Sequence, residues 1–239
     1  MAIISNTVNY LDDELLLEGF FAYDNTIKGI RPTVLICHAW GGRDDFVCDK
    51  AEKLAKMGYF AFAVDMYGQG ILGKSTEENA QLMQPLMEAR ERLQQRMQAA
   101  LRAVTHTPWA DEKNIAAIGF CFGGLCVLDL ARTGADIKGV VSFHGLLLAP
   151  DNLKQQPIKA KVLVLHGHDD PMISPELLSS LQQELTEKGA DWQLHSYSHT
   201  SHAFTNPNAN DPDFGTVYQP NSDRRSWVAM QNFLSEIFA

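Results

Sequence analysis

The chain lacks long apolar runs and any excess of basic charge. No run approaches the roughly 18 apolar residues that a membrane helix needs. The first six residues, MAIISN, contain neither the basic segment nor the apolar core of a signal peptide. The formal net charge is −9, which argues against nucleic acid or a membrane as partner, since either would favour a basic face. These absences predict a cytoplasmic protein.

Cysteine is also scarce. The four cysteines (Cys37, Cys48, Cys121 and Cys126) have neither metal-ligand spacing nor a dense disulfide pattern. We therefore expect reduced thiols, no metal and no cofactor. The chain does have enough length, 239 residues, and enough apolar content, 45%, to bury one sizeable core. We predict a single domain over residues 1–239.

Short apolar runs alternate with helical patterns along most of the chain. The predicted strands cover residues 7–10, 15–23, 33–37, 59–64, 114–118, 139–143, 162–165 and 191–197. The predicted helices begin near 44, 77, 122, 175 and 222; that of 77–104 is interrupted at Pro85, and 199–222 is a long loop. The alternation predicts an α/β-hydrolase-like α/β fold: a mostly parallel eight-stranded sheet with helices on both faces. Residues 66–104 are a candidate lid.

The most informative motif is GFCFG at 119–123, which joins an apolar strand to an apolar helical pattern. A nucleophile on such a sharp strand-to-helix turn needs small residues two positions before and after it. Gly119 and Gly123 meet that requirement around Cys121. The alternative is a cysteine buried in the core, which is common for free thiols.

Polar motifs follow two later strands, at the sheet edge where open parallel sheets gather function. HGHDDP at 166–171 offers Asp169 or Asp170 as an acid, and the spacing from Gly167 with the following proline favours Asp170. SHTSHAF at 198–204 offers a base. We favour His202, because His195 lies within a strand and His199 lacks the small-His-x-Phe context. Nucleophile, acid and base then occur in the chain order of α/β-hydrolases.

With these motifs the chain resembles the dienelactone hydrolase family. The resemblance rests on GFCFGG at 119–124, GHDDP at 167–171 and SHAF at 201–204, with HAWGG at 38–42 and VDMYG at 64–68. It implies a triad of Cys121, Asp170 and His202, and an oxyanion hole formed by the backbone N–H groups of Trp40 and Phe122. It also implies hydrolysis of a small ester, lactone or thioester through a cysteinyl acyl-enzyme.

The chain departs from the family pattern at three positions. Ala39 stands where the family has a glutamate that contacts the resting cysteine, and Gln69 and Asn206 stand where arginines grip the substrate carboxylate. Losing two charge-assisted contacts weakens recognition of a carboxylated lactone, so we expect a substrate other than dienelactone. Arg43 or Lys74 could replace them, although both are more simply explained as surface charges of a loop.

The remaining predictions are less specific. Tyr67, Gln69, Phe204 and Asn206 are candidate substrate-pocket residues, with Trp40 and Phe122 as further apolar walls. The remaining candidates have structural interpretations: Asp65 as a turn residue, His38, His144 and His166 as hydrogen-bonding partners, and Arg90, Arg92 and Arg96 as a solvated helix face. A rival function is a non-catalytic or redox-sensing protein that uses Cys121 as a reactive thiol.

Overall fold

An eight-stranded, mostly parallel sheet carries the fold, as the sequence predicted. The computed structural model describes residues 2–151, 153 and 156–239. The sheet strands are β1 (Ile3–Asp12), β2 (Leu15–Asp24), β3 (Arg31–Cys37), β4 (Phe60–Val64), β5 (Ala110–Phe120), β6 (Gly139–Phe143), β7 (Lys161–Gly167) and β8 (Trp192–Tyr197). A separate hairpin consists of β9 (Asn210–Asp211) and β10 (Thr216–Val217). The helices are α1 (Asp45–Lys56), α2 (Thr76–Glu88), α3 (Arg90–Thr105), α4 (Phe122–Arg132), α5 (Pro175–Glu187) and α6 (Pro220–Ile237).

The chain divides into two compact units, one ending at Ile118 and one beginning at Gly119. In the first unit the strand order is β1-β2-β4-β3-β5. β1 and β2 form an antiparallel hairpin, β2 pairs antiparallel with β4, and β4 pairs parallel with β3. Every residue of β4 is buried, which explains its continuous apolar sequence.

Helix α1 packs against β2, β3 and β4 in this unit, and the Asp44 side chain caps its first turn by accepting the Val47 N–H. The interruption predicted at Pro85 is displaced. Pro85 lies inside α2, and the break comes at Ala89, where φ is −113° and ψ is 69°. Proline removes one N–H, but its fixed φ is helical, so the helix continues for another turn.

The second unit contains the parallel strands in the order β6-β7-β8. Helix α4 is buried along its whole length, which accounts for apolar residues on all of its faces. Its last residue, Arg132, is held by Asp129 and by both carboxylate oxygens of Glu184 in α5.

Two boundaries in this unit differ from the sequence prediction. The β9–β10 hairpin interrupts the segment predicted as loop, because strands of two residues leave no period in the sequence. Helix α6 begins at Pro220 rather than near Ser222, since proline suits the first helical position.

The helices in the described part of the chain are all too short or too polar to cross a bilayer.

Candidate active site

The turn between β5 and α4 holds Cys121 in a strained backbone conformation, with φ at 55° and ψ at −116°. Positive φ is costly for a residue with a side chain and clusters at functional positions. A Cβ on Gly119 would overlap the carbonyl group of Gly123, so no larger residue fits the turn. The Cys121 N–H donates to the Phe143 carbonyl of β6 at 3.0 Å, and its carbonyl accepts the Gly124 N–H at 2.9 Å. The turn is therefore fixed on both sides of the thiol.

A second glycine contact sets how closely α4 approaches the end of β6. A Cβ on Gly124 would lie 2.6 Å from both the Gly145 Cα and the Ser142 Oγ. That separation is shorter than any real Cβ contact, so the first turn of α4 tolerates only glycine here. The sequence GFCFGG therefore has a steric reason for two of its three glycines, Gly119 and Gly124.

A buried carboxylate and a buried imidazole form a hydrogen bond in the same unit as Cys121. His202 Nδ1 donates to Asp170 Oδ2 at 2.7 Å, and both side chains are almost fully buried. The other carboxylate oxygen, Oδ1, accepts the Met172 N–H at 2.9 Å. The neighbouring Asp169 is exposed, and its N–H donates to the Thr200 carbonyl at 2.9 Å. The acidic partner of His202 is thus Asp170.

The backbone of His202 is held from both sides by the hairpin that the sequence analysis missed. Its N–H donates to the Gly215 carbonyl at 3.0 Å, and its carbonyl accepts the Val217 N–H at 3.1 Å. The following residue, Ala203, has a positive φ of 56°. Because β9 and β10 close this hairpin, a segment without sequence periodicity acts as the support of the imidazole.

The charge environment of His202 favours a protonated imidazole. Burial disfavours the charged form, but charge and hydrogen bonding from Cys121 and from Asp170 outweigh that cost and raise the pKa of His202 above its ordinary 6.5. His202 Nε2 is buried and has no hydrogen bond of ordinary geometry to a nitrogen or oxygen among the described residues. Its electrostatic partner is the Cys121 thiol.

A second buried imidazole packs against the first. The rings of His144 and His202 meet edge to face with centroids 5.2 Å apart, and Phe204 packs edge to face on His144 at 5.1 Å. His144 Nε2 shares a hydrogen bond of 2.8 Å with the buried Thr205 hydroxyl. Thr205 was missed by the sequence analysis, although it follows the SHAF motif directly.

A third buried histidine, His166, lies near the carboxyl end of β7. It is buried, and burial lowers its pKa, with the charge of Asp170 opposing and those of His168 and His202 adding to the effect. Burial therefore favours the neutral form of the His166 imidazole.

The predicted residues of the first unit form their own network at the ends of β3 and β4. His38 Nδ1–H donates to the Ala39 carbonyl at 2.6 Å, and His38 Nε2 accepts the Met66 N–H at 3.1 Å, which fixes the tautomer. The Tyr67 hydroxyl donates to the Trp40 carbonyl at 2.8 Å. The structural role predicted for His38 is confirmed, and the segment containing Trp40 is held by a side chain.

The two positions that we expect to correspond to the family's arginines differ in setting. Gln69 is exposed, has φ at 52°, and donates its N–H to the Leu16 carbonyl at 3.1 Å. Asn206 is half-buried, and its Oδ1 accepts the Asn208 N–H at 3.0 Å. The predicted set is therefore divided: Trp40, Tyr67 and Gln69 belong to the first unit, and Phe122, Phe204 and Asn206 to the second.

Two predictions about arginines are wrong. Arg43 is not a solvated loop charge, because it pairs with the Glu18 carboxylate and donates to the Glu18 carbonyl at 2.7 Å, leaving its side chain 9% exposed. Arg90 and Arg96 are not on a solvated face either: Arg90 is buried, and the Arg96 side chain is 12% exposed. An arginine has a long apolar stem, which can be buried while the charged end keeps its polar partners.

The three other cysteines are buried or half-buried. Cys37 and Cys126 are buried, in keeping with packing roles, and Cys48 is half-buried beside Arg43. The residues that the structure describes contain no cluster of three or more histidine, cysteine or acidic side chains that could hold a metal ion.

Comparison with known proteins places this geometry in a family. The model of the dienelactone hydrolase family matches residues 18–238. A provisionally named carboxymethylenebutenolidase of Aquifex aeolicus is 26% identical over 234 residues, which cover 95% of this chain and 96% of that protein. An uncharacterized Caenorhabditis elegans protein is 35% identical over 151 residues, 62% of this chain and 96% of the relative.

A solved structure gives the same result. The crystal structure of a dienelactone hydrolase-like promiscuous phosphotriesterase from metagenomic libraries superposes with a TM-score of 0.95 at 36% identity, covering 100% of both chains. The chain therefore belongs to the dienelactone hydrolase family and is a carboxylic-ester hydrolase with the α/β-hydrolase fold.

Proposed function

We propose that the protein hydrolyses a small ester, lactone or thioester through an acyl-enzyme on Cys121, with His202 as base and Asp170 orienting His202. The observation that carries this proposal is the 2.7 Å hydrogen bond from His202 Nδ1 to Asp170, with the buried Nε2 interacting electrostatically with Cys121. A carboxylate on Nδ1 leaves Nε2 to exchange the proton, which is the arrangement a general base requires.

Acylation begins with the thiolate, because the thiol itself is a poor nucleophile. The His202 interaction favours the thiolate, with the proton on the imidazole. The sulfur attacks the carbonyl carbon, and the carbonyl π electrons move to oxygen. In the family pattern the backbone N–H of the residue after the nucleophile, here Phe122, stabilises this oxyanion. Collapse of this tetrahedral intermediate expels the alkoxide or thiolate leaving group, which takes the proton from His202.

Deacylation reverses the roles of the same groups. Water attacks the thioester carbonyl while His202 accepts one of its protons. Collapse of the second tetrahedral intermediate releases the carboxylic acid and returns Cys121 as thiolate beside the protonated imidazole. Asp170 stabilises the positive charge on His202 in both half-reactions.

The substrate is proposed to differ from dienelactone. Gln69 and Asn206 are neutral where the family has cationic grips, so a carboxylate next to the scissile bond gains no charge-assisted contact from these two positions. Because one relative is a promiscuous phosphotriesterase, a phosphotriester belongs in the substrate panel together with uncharged esters, lactones and thioesters.

The proposal is tested with p-nitrophenyl acetate, followed by mass spectrometry of the quenched enzyme. We expect turnover and an acetyl group on Cys121, and both lost in Cys121→Ala. In His202→Gln, acetylation should slow by a factor of about 100 or more, because general-base catalysis contributes about that much.

The matched control is Cys48→Ala, since Cys48 is the half-buried thiol outside this arrangement. It should retain wild-type turnover and the adduct. Turnover that persists in Cys121→Ala would overturn the mechanism. Oxidation of Cys121 by peroxide without turnover of any substrate in the panel would favour the redox-sensing alternative.

A further inference from the structure

A cavity of about 190 Å³ lies in the first unit, between the second half of α2 and the first half of α3. Its polar wall consists of Arg92, Arg96, Tyr67 and Gln81, and its apolar wall includes Leu82 and Leu86. We propose that this cavity binds a small organic monocarboxylate, with the carboxylate at the two guanidinium groups and a short apolar body against the two leucines. The proposal does not depend on the proposed hydrolytic function.

The two guanidinium groups at the cavity differ in how far nearby carboxylates compensate their charge. Arg96 lies 3.4 Å from an Asp12 carboxylate oxygen, donates to the Met66 carbonyl and is attracted by the Asp65 carboxylate, so its charge is largely compensated. Arg92 is exposed and forms no ion pair within the described part of the chain, yet it is close enough to Arg96 for the two cations to repel each other. A carboxylate between the two guanidinium groups would offset that repulsion and accept their N–H groups.

The walls select an organic anion over an inorganic one. Leu86 is 3% exposed and Leu82 is half-buried, so one side of the cavity offers only carbon to a ligand. Phosphate or sulfate would lose hydration against that side without replacing it. A carboxylate attached to a ring or a short alkyl group meets both walls.

The test is calorimetric titration of the wild-type protein with phenylacetate, and with phenylacetamide as the neutral analogue of the same shape. We expect phenylacetate to bind and phenylacetamide to bind at least about 10-fold more weakly, since hydrogen bonds to charged groups are worth more than neutral ones. Arg92→Gln should weaken phenylacetate binding about 10-fold by the same reasoning. Leu82→Trp, which fills the cavity, should abolish binding.

The matched control is Arg102→Gln, which removes an exposed arginine from the same helix without touching the cavity. Its affinity should equal that of the wild-type protein. Circular dichroism establishes that each variant is folded. Equal affinities for acid and amide, an unchanged affinity in Arg92→Gln, or the absence of binding at millimolar phenylacetate would each overturn the proposal. Binding that survives Leu82→Trp would also do so, because the ligand would then occupy another place.

Discussion

Two buried aspartates, each at the carboxyl end of a parallel strand, use their oxygens in different ways. Asp65 directly follows β4, and its carboxylate accepts four backbone N–H groups at 2.9 Å, from Glu18, Tyr67, Gly68 and Gly70. Asp170 follows β7 and accepts one backbone N–H on Oδ1, while Oδ2 receives the imidazole of His202. The first aspartate is saturated by one N–H group of β2 and three of the loop that it organises. The second leaves one oxygen for another side chain.

This difference separates a structural acid from a candidate functional one without reference to burial. Both residues are at most 4% exposed, so accessibility does not distinguish them. What distinguishes them is the partner: backbone N–H groups cannot exchange a proton in a reaction, whereas an imidazole can. Removing each carboxylate should therefore affect different properties of the protein.

The largest expected effect is on catalysis in Asp170→Asn. The amide keeps the shape but loses the charge that stabilises protonated His202 and the acceptor that fixes its tautomer. We expect kcat/KM for p-nitrophenyl acetate to fall about 10³-fold to 10⁴-fold. Steady-state kinetics measures this, and thermal unfolding checks that the fold remains. The matched control is Asp169→Asn, whose exposed side chain should leave kcat/KM unchanged. Equal losses in the two variants would contradict the assignment.

The second effect is on stability in Asp65→Ala. Four N–H groups lose a charged acceptor, and water replaces it only in part, so the free energy of unfolding should fall by about 3–5 kcal/mol. Urea unfolding followed by circular dichroism measures the loss. For scale, Asp44→Ala removes one capping bond of α1 and should cost about 1 kcal/mol. A loss in Asp65→Ala no larger than that would show that Asp65 does not organise its loop.

The sequence predicts the fold well where one physical requirement dominates a segment. Strands buried on both faces need continuous apolar residues, and β3, β4, β6 and β7 have them. The turn at Cys121 is also predictable from the sequence. A Cβ on residue 119 would overlap the backbone of Gly123, so only glycine fits at that position. Even the role of Asp65 as a turn residue could be inferred from its place at a strand end.

Other features depend on contacts between distant segments and leave little trace in the sequence. Charged residues at helical spacing on α3 suggest a solvated face, yet Arg90 is buried and Arg96 donates to the Met66 carbonyl. The β9–β10 hairpin is too short to show a period, although it holds the backbone of His202. The carboxylate that pairs with His202 depends on how the turn after β7 directs its side chains. The catalytic roles of Cys121, Asp170 and His202 stay a prediction until the variants are measured.

The smallest expected effect is a loss of kcat when the positioning of His202 is disturbed. Substitution of Thr205 tests this positioning. The Thr205 hydroxyl bonds His144, whose ring packs edge to face against the His202 ring. Thr205→Val keeps the shape but removes the hydroxyl, so His144 Nε2 loses this hydrogen bond and the ring packed against His202 is held less firmly. We expect kcat to fall about 5-fold, equivalent to one ordinary hydrogen bond of about 1 kcal/mol.

The matched variant Thr205→Ser restores the hydroxyl, and kcat should return to the wild-type value. The pH dependence of kcat/KM supplies a readout that a purely structural role would leave unchanged. Its apparent pKa values should shift in Thr205→Val and return in Thr205→Ser, because the surroundings of His202 change only in the first. A loss of stability in Thr205→Val with kcat and the pH profile unchanged would mean that His144 packs beside His202 without positioning it. His202 would then depend on Asp170 and the β9–β10 hairpin alone for its orientation, which would make the contrast between Asp170 and Asp65 sharper still.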